Sequence, residues 1–178
     1  MFRFLASELI ECEQQGTRAW ILAHIPPGGL IDEALPLASE VLARIMERFS
    51  PGVIAGSFFG HTHRDELSVL YNSSSKTKDT AIGVSWIAPS VTPLSNYNPT
   101  WRYYRVDSNS LEIRDCYNYY TVLDETFQDG RPLRWQLEYS SRAEYDPYWE
   151  WPSTEPLNAK FWHSVAERIL EDSSISQK

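Results

Sequence analysis

The sequence predicts an α/β fold, in which a βαβ unit is followed by antiparallel hairpins and a C-terminal helical segment. Two short apolar runs flank a stretch with helical spacing, the pattern of parallel strands joined by a crossover helix. Paired segments of alternating apolar and polar residues come next, separated by polar loops, which is typical of hairpins. The 178 residues suffice for one domain with a sizeable core, and the 42% hydrophobic content excludes wholesale disorder.

The βαβ unit is predicted in the first third of the chain. A helix ended by Gly16 precedes it, and a proline- and glycine-rich loop at 25–29 follows its first strand. The predicted elements, in order, are a helix, a strand, a helix and a strand: residues 4–15, 19–23, 36–49 and 53–59. Because right-handed crossovers bring the carboxyl ends of parallel strands together, ligands are expected at that edge of the sheet.

The remainder of the chain is predicted to form two hairpins and two helices. The hairpin strands are expected at 67–71 with 81–88, and at 101–106 with 111–120; the helices are expected at 132–144 and 158–170. Between the hairpins, residues 89–99 are too rich in proline and asparagine for regular structure. Loops of this length in compact domains are often functional.

Three of the four histidines are placed for chemistry. His24 follows the first predicted strand, and His61 and His63 follow the second. If the backbone stays extended, positions i and i+2 point to the same side, and Gly60 can supply a bend without a Cβ penalty. Since neutral imidazole is a common ligand of Zn²⁺ and related ions, the pattern predicts a metal site. A His-x-His pair alone fits surface or hydrogen-bonding histidines about equally well.

The histidines lie in the motifs His24-Ile25-Pro26-Pro27-Gly28 and Gly60-His61-Thr62-His63, which are followed by Asp65-Glu66, Ala88-Pro89-Ser90 and Asn98-Pro99. Together these motifs resemble the calcineurin-like metallophosphoesterases, and specifically the acid sphingomyelinase branch. The resemblance extends from about residue 4 to residue 168. It implies a partial metallophosphoesterase sandwich, with residues 1–128 as the C-terminal half of the catalytic domain and residues 129–178 as a helical, aromatic-rich segment.

This resemblance implies a metal-dependent phosphodiester hydrolase that converts sphingomyelin to ceramide and phosphocholine. Such enzymes use two divalent ions, here expected to be Zn²⁺ although other metals are possible. Carried onto this chain, His24 and His61 would hold one ion and His63 the other. Tyr97 and Asn98 would lie near the substrate. The resemblance also implies a protein that is secreted or located in the lysosome or vacuole.

The remaining metal ligands of the family are missing from the sequence. It contains no Asp-x-His, no Gly-Asp and no Gly-Asn-His motif. Three neutral imidazoles cannot offset two adjacent dications, so the chain is expected to be an inactive fragment that needs an N-terminal half. The alternative is a non-catalytic metal-binding or interaction module with one three-histidine site. A third interpretation is choline-lipid binding by the aromatic segment 145–152, although packing of that segment on the core is favoured.

Composition narrows the remaining possibilities. The net charge of −8, without a basic run, argues against nucleic acid as a partner. No run approaches the roughly 20 apolar residues of a membrane helix, and Met1–Glu8 does not fit a signal peptide. The sequence does not reveal whether Cys12 and Cys116 pair. Asn72 begins a possible glycosylation triplet, and His163 is expected to be structural.

Overall fold

A computed structural model describes residues 1–28, 36–146 and 151–172, and within them the chain forms two β-sheets with helices packed on both. The mixed α/β class is therefore confirmed. The elements in chain order are α1 (Phe2–Gln15), β1 (Ala19–Leu22), α2 (Pro36–Phe49), β2 (Ile54–Phe59), β3 (Glu66–Tyr71), β4 (Ala81–Ile87), β5 (Thr100–Val106), β6 (Ile113–Tyr120), α3 (Leu123–Asp129), β7 (Gln136–Ser140), α4 (Ser141–Tyr145) and α5 (Ala159–Glu171).

The first sheet contains the predicted βαβ unit. Its strand order is β1-β2-β4-β3, with β1 and β4 parallel to β2 and with β3 antiparallel to β4. Gly16 ends α1 in the left-handed conformation, as its stop signal predicts. Helices α1 and α2 cover one face of this sheet and bury Leu9 and Met46, which are 2% and 1% exposed.

The second sheet is antiparallel, in the order β5-β6-β7, and packs with α5 against the other face of the first sheet. Phe161 and Trp162 of α5 lie in this second core with Trp86 of β4 and Cys116 of β6. Phe161 has no exposed surface. None of the helices in the described part of the chain has the length and apolar character needed to cross a bilayer.

The helix predicted at 132–144 is wrong. Residues 136–140 form strand β7, which pairs with β6, and only Ser141–Tyr145 is helical. Leu133 and Leu137 recur at helical spacing, but both are about half exposed and form no buried helical face. Pairing with β6 satisfies backbone groups that would otherwise lie on an open sheet edge. The helix predicted at 158–170 is confirmed as α5.

The division predicted between residues 128 and 129 stays a prediction. Strand β7, on the C-terminal side of that boundary, completes the second sheet. The C-terminal part therefore contributes a strand as well as the helices that its resemblance implies.

Candidate metal centre at the strand ends

Strands β1 and β2 end side by side, and their hydrogen bonding continues into the following residues. Leu22 is the register partner of Phe58. Beyond it, Ala23 N–H donates to the Phe58 carbonyl at 3.0 Å, and Gly60 N–H donates to the His24 carbonyl at 3.0 Å. These bonds hold the segment after β1 against the segment after β2, so the first residues beyond the sheet are close together.

This arrangement brings His24 and His61 into contact. His61 Nδ1 lies 3.1 Å from His24 Nε2, and the two rings are nearly perpendicular, with centroids 4.9 Å apart. The His24 residue is exposed and His61 is half-buried, so both can be reached from solvent. The parallel strand pairing predicted from sequence is thus the cause of their meeting.

The backbone after β2 differs from the extended geometry expected for His-x-His. His61 and His63 both have left-handed φ values, 76° and 61°, whereas Gly60 does not have a positive φ. The expectation that Gly60 supplies the bend is therefore wrong, and the two histidines themselves carry it. Histidine tolerates this region better than most residues, but strain of about 1–3 kcal/mol per position is typical of functional sites.

The structure does not bring all three histidines together as one metal-binding group. Across the described ranges 1–28, 36–146 and 151–172, no set of three or more His, Cys, Asp or Glu side chains is arranged to hold a metal ion. His24 and His61 form a pair, and the alternative site with all three histidines around one ion is not assembled here.

The two nitrogens are at hydrogen-bond distance, and the same separation matches that of two ligands of one metal ion. Two nitrogens, each about 2.0–2.1 Å from Zn²⁺ and 3.1 Å from each other, subtend about 100° at the metal, close to tetrahedral. Both donors are neutral imidazoles, so further ligands with negative charge are needed to balance even one dication. The two histidines would therefore supply two of the four ligands of a tetrahedral ion.

The two residues predicted near the substrate lie in the long loop. Arg64 Nε donates to the Tyr97 hydroxyl at 3.0 Å, so Tyr97 is held beside the histidine segment with 40% of its surface exposed. The Asn98 side-chain oxygen instead accepts from Leu123 N–H at 3.2 Å and anchors the start of α3. Tyr97 is thus available to a ligand, whereas one polar atom of Asn98 is already engaged.

An ionic network next to the histidines was missed by sequence reasoning. Asp65 accepts hydrogen bonds from Arg102, Asn118 and Tyr139, one residue from each strand of the second sheet. Burial opposes the charge on Arg102, but Asp65 overrides it and the pKa of Arg102 is raised. Burial, followed by the charge of Asp65, also raises the pKa of Tyr139. The available signal was Arg102, a charged residue at an inward position of an alternating strand.

Asp65, Arg102 and Tyr139 of this network line a cavity of about 580 Å³ that also borders α5. Leu67, Trp86 and Val165 contribute to its apolar wall. A cavity of this size and lining suits an aliphatic or aromatic group.

The aromatic tail packs on the core where it is described. Trp151 Nε1 donates to the Pro156 carbonyl at 3.0 Å, and the ring lies edge-on to Phe161. Trp149, the other residue considered for choline binding, lies outside the described residues. His163 is buried and its Nδ1 is 2.9 Å from the Tyr71 hydroxyl. Cys12 and Cys116 do not form a disulfide.

Comparison with curated proteins identifies relatives along almost the whole chain. It is 31% identical over 176 residues to sphingomyelin phosphodiesterase 1 of Caenorhabditis elegans, covering 98% of this chain and 29% of that protein. It is 35% identical over 150 residues to sphingomyelin phosphodiesterase B of Dictyostelium discoideum, covering 82% and 23%. It is 33% identical over 156 residues to the human cyclic GMP-AMP phosphodiesterase SMPDL3A, covering 82% and 33%. No protein-family model matches the chain.

These relatives confirm the resemblance that the histidine motifs indicate. The chain is homologous to sphingomyelin phosphodiesterases of the acid sphingomyelinase family. It therefore resembles enzymes that hydrolyse phosphoric diesters. It spans between 23% and 33% of the length of these three curated relatives, which is consistent with a C-terminal portion.

Proposed function

We propose that this homologue of the acid sphingomyelinases supplies the C-terminal part of a metal-dependent phosphodiester hydrolase. Its reaction would be the hydrolysis of sphingomyelin to ceramide and phosphocholine. The observation that carries the proposal is the contact of His24 with His61 at 3.1 Å, at the ends of parallel strands where such sheets bind ligands. The proteins named sphingomyelin phosphodiesterase among its relatives support the choice of substrate.

The histidines would divide between two ions, with His24 and His61 on one and His63 on the other. Two Zn²⁺ ions, when bound, supply Lewis acidity at the phosphoryl oxygens and lower the pKa of an attacking water. The structure supports the shared role of His24 and His61 through the short distance between their nitrogens. Tyr97, held by Arg64 beside the histidine segment, would contact the substrate and help to orient it.

The proposed centre requires ligands beyond these three. Two dications held close together repel each other, and neutral imidazoles do nothing to offset that repulsion. We assign the balancing carboxylates to an N-terminal half of the domain. The open side of β1 supports this assignment, because β1 is the terminal strand of its sheet and exposes Leu22 at 74%. The chain by itself is therefore expected to be inactive.

The proposed function includes a secreted, lysosomal or vacuolar location for the protein. Asn72, the first residue of the Asn-Ser-Ser triplet, is exposed at the turn between β3 and β4. A glycan attached to Asn72 would lie in solvent, as the glycans of exported proteins do.

The direct test is hydrolysis of sphingomyelin by the longest reading frame that contains this chain, in the presence of Zn²⁺. Turnover is expected, and His61→Ala is expected to abolish it while leaving the fold intact by circular dichroism. The 178-residue chain alone is expected to give no turnover of bis-para-nitrophenyl phosphate with Zn²⁺. Hydrolysis by the chain alone that His61→Ala removes would overturn the division of ligands, and an inactive long form would overturn the function.

A further inference from the structure

Arg64 directly follows the second histidine after β2, and its side chain reaches the loop that follows β4. Its Nε donates to the Tyr97 hydroxyl at 3.0 Å, and the centre of the guanidinium lies 5.9 Å from the centroid of the Tyr97 ring. Its backbone N–H donates to the Thr62 hydroxyl at 3.3 Å. Within residues 1–28, 36–146 and 151–172, neither terminal nitrogen of the guanidinium, Nη1 or Nη2, has a hydrogen-bond partner. The side chain is therefore held at Nε, with its two terminal donors unused.

The bond between Arg64 and Tyr97 lies at the sheet edge that carries the candidate metal centre. Strands β1, β2 and β4 are parallel neighbours, so the segments that follow them leave the sheet at the same edge. Ala88 N–H donates to the Phe59 carbonyl at 2.9 Å, which continues the pairing of β2 with β4 beyond the end of β4. Arg64 thus joins the segment after β2 to the loop after β4, where sheets of this kind bind their ligands.

The charge of Arg64 is not compensated by a carboxylate of the described residues. Arg48 and Arg114, in contrast, each lie within 3.0 Å of a carboxylate oxygen. Asp65, the neighbour of Arg64 in sequence, is paired with Arg102 of the second sheet. In a chain with a net charge of −8, the exposed Arg64 guanidinium is therefore a cation that remains available to an anionic ligand.

A guanidinium held in this way suits a phosphodiester. Its terminal nitrogens form a planar fork that matches two oxygens of one phosphate group, and such charge-assisted hydrogen bonds are stronger than neutral ones. A phosphodiester offers two non-bridging oxygens that share one negative charge. Because Tyr97 already restrains Nε, less side-chain freedom is lost when the phosphate binds.

We propose that Arg64 is a substrate-binding residue that donates from Nη1 and Nη2 to the non-bridging oxygens of the phosphodiester. Tyr97 then also acts as a positioning residue, because its hydroxyl orients the guanidinium. This inference rests on the proposed function, which supplies the phosphodiester. It adds a cationic side chain to a site whose other proposed ligands in this chain are neutral imidazoles.

The first test is steady-state hydrolysis of bis-para-nitrophenyl phosphate by the longest reading frame that contains this chain, with Zn²⁺. This diester has neither a lipid nor a choline group, so the assay reports on recognition of the phosphate. Arg64→Gln is expected to raise KM about tenfold, the effect of losing a hydrogen bond to a charged group. Arg64→Lys, which keeps the charge but not the fork, and Tyr97→Phe, which releases the guanidinium, are each expected to raise KM less.

The matched control is Arg105→Gln. Arg105 is also exposed and also donates to a tyrosine hydroxyl, that of Tyr117 at 3.3 Å, but it lies near the far end of β5 in the second sheet. This variant should keep the wild-type KM. An unchanged KM in Arg64→Gln, or an equal rise in Arg105→Gln, would overturn the proposal.

The second test does not depend on turnover. The arginine Nε–H resonances of the same protein are followed by ¹⁵N NMR in EDTA while dimethyl phosphate is added at constant ionic strength. The Arg64 resonance is expected to shift along a saturating curve, and the Arg105 resonance is expected to stay in place. Equal shifts of the two resonances, or no shift of Arg64, would overturn the proposal. A long form that binds dimethyl phosphate at Arg64 but hydrolyses no diester would count against the proposed function alone.

Discussion

At the scale of single residues, the short segment that follows β2 contains two left-handed residues and an acidic side chain that bonds the second sheet. His61 and His63 occupy left-handed conformations, and Asp65, two residues later, accepts three hydrogen bonds from the second sheet. The Arg102 side chain is only 3% exposed, so its charge depends on Asp65 for compensation. The segment thus fixes the histidines on one side and joins the two sheets on the other.

Asp65→Asn is expected to lower the free energy of unfolding by about 3 kcal/mol. This value is at the lower end for a broken buried ion pair because a third of the Asp65 side chain is exposed. Urea denaturation measures it. The matched control is Glu13→Gln, which removes the exposed partner of Arg48 and should leave the midpoint unchanged. Equal effects of the two substitutions would contradict the role given to the network.

Asp107 is expected to stabilise the fold less as the pH falls into the acid range. Hydrogen bonds from Ser110 N–H, then from the Arg114 side chain, hold its pKa well below the usual value of 3.8. A carboxylate with a depressed folded-state pKa stabilises the fold above its unfolded pKa and loses this contribution as the pH falls below it. The stability difference between wild type and Asp107→Ala should therefore shrink as the pH drops from 5 to about 2. A stability difference that stays constant across this range would contradict the stabilising role given to the Asp107 carboxylate.

At the scale of elements, short-range signals determine where the helices end and how the strands pair. Gly16 closes α1 with φ of 65°, and the Thr17 N–H then donates to the Cys12 carbonyl at 2.9 Å. Only glycine adopts this conformation without a steric cost. The end of α1 is thereby placed so that β1 can begin three residues later.

Gly16→Ala is expected to destabilise the protein by about 1 kcal/mol, the cost of a left-handed conformation for an L-residue. No atom lies within 4 Å of an added Cβ, so the effect is conformational and not a clash. Gly52→Ala is the control, because Gly52 has equally open surroundings and no positive φ. Thermal denaturation should separate the two variants, and a Gly52→Ala loss as large as that of Gly16→Ala would refute the explanation.

At the scale of the whole molecule, α5 lies in the core that the two sheets share. Its buried residues share the second core with Trp86 of β4 and Cys116 of β6, and Asn158 caps its first turn through Lys160 N–H and Phe161 N–H. The second core therefore depends on a helix far along the chain from the histidines.

Phe161→Ala is expected to cost about 3–5 kcal/mol, the range for a buried phenylalanine that leaves a cavity. Leu170→Ala, in the same helix but with the leucine 86% exposed, should change the free energy of unfolding by less than about 0.5 kcal/mol. Chemical denaturation of both variants tests this expectation. A Phe161→Ala protein as stable as wild type would show that the second core does not depend on α5.

Local pattern predicted the βαβ unit and the meeting of His24 with His61, because strand ends in such a unit converge whatever their surroundings. It could not predict strand β7, since Leu133 and Leu137 fit a helical period and only pairing with β6 decides otherwise. The Asp65 network was also out of reach, because it depends on how the second sheet is placed against the first.

The most direct measurement of the central claim is a Zn²⁺ titration of the longest reading frame that contains this chain, followed by ¹⁵N NMR of the His24 and His61 side chains. The geometry predicts that the resonances of His24 Nε2 and His61 Nδ1 shift together with one midpoint, and that either His24→Ala or His61→Ala abolishes the shift of the remaining partner. Independent midpoints for the two rings, or no shift of either at millimolar Zn²⁺, would contradict the claim that they share one metal ion.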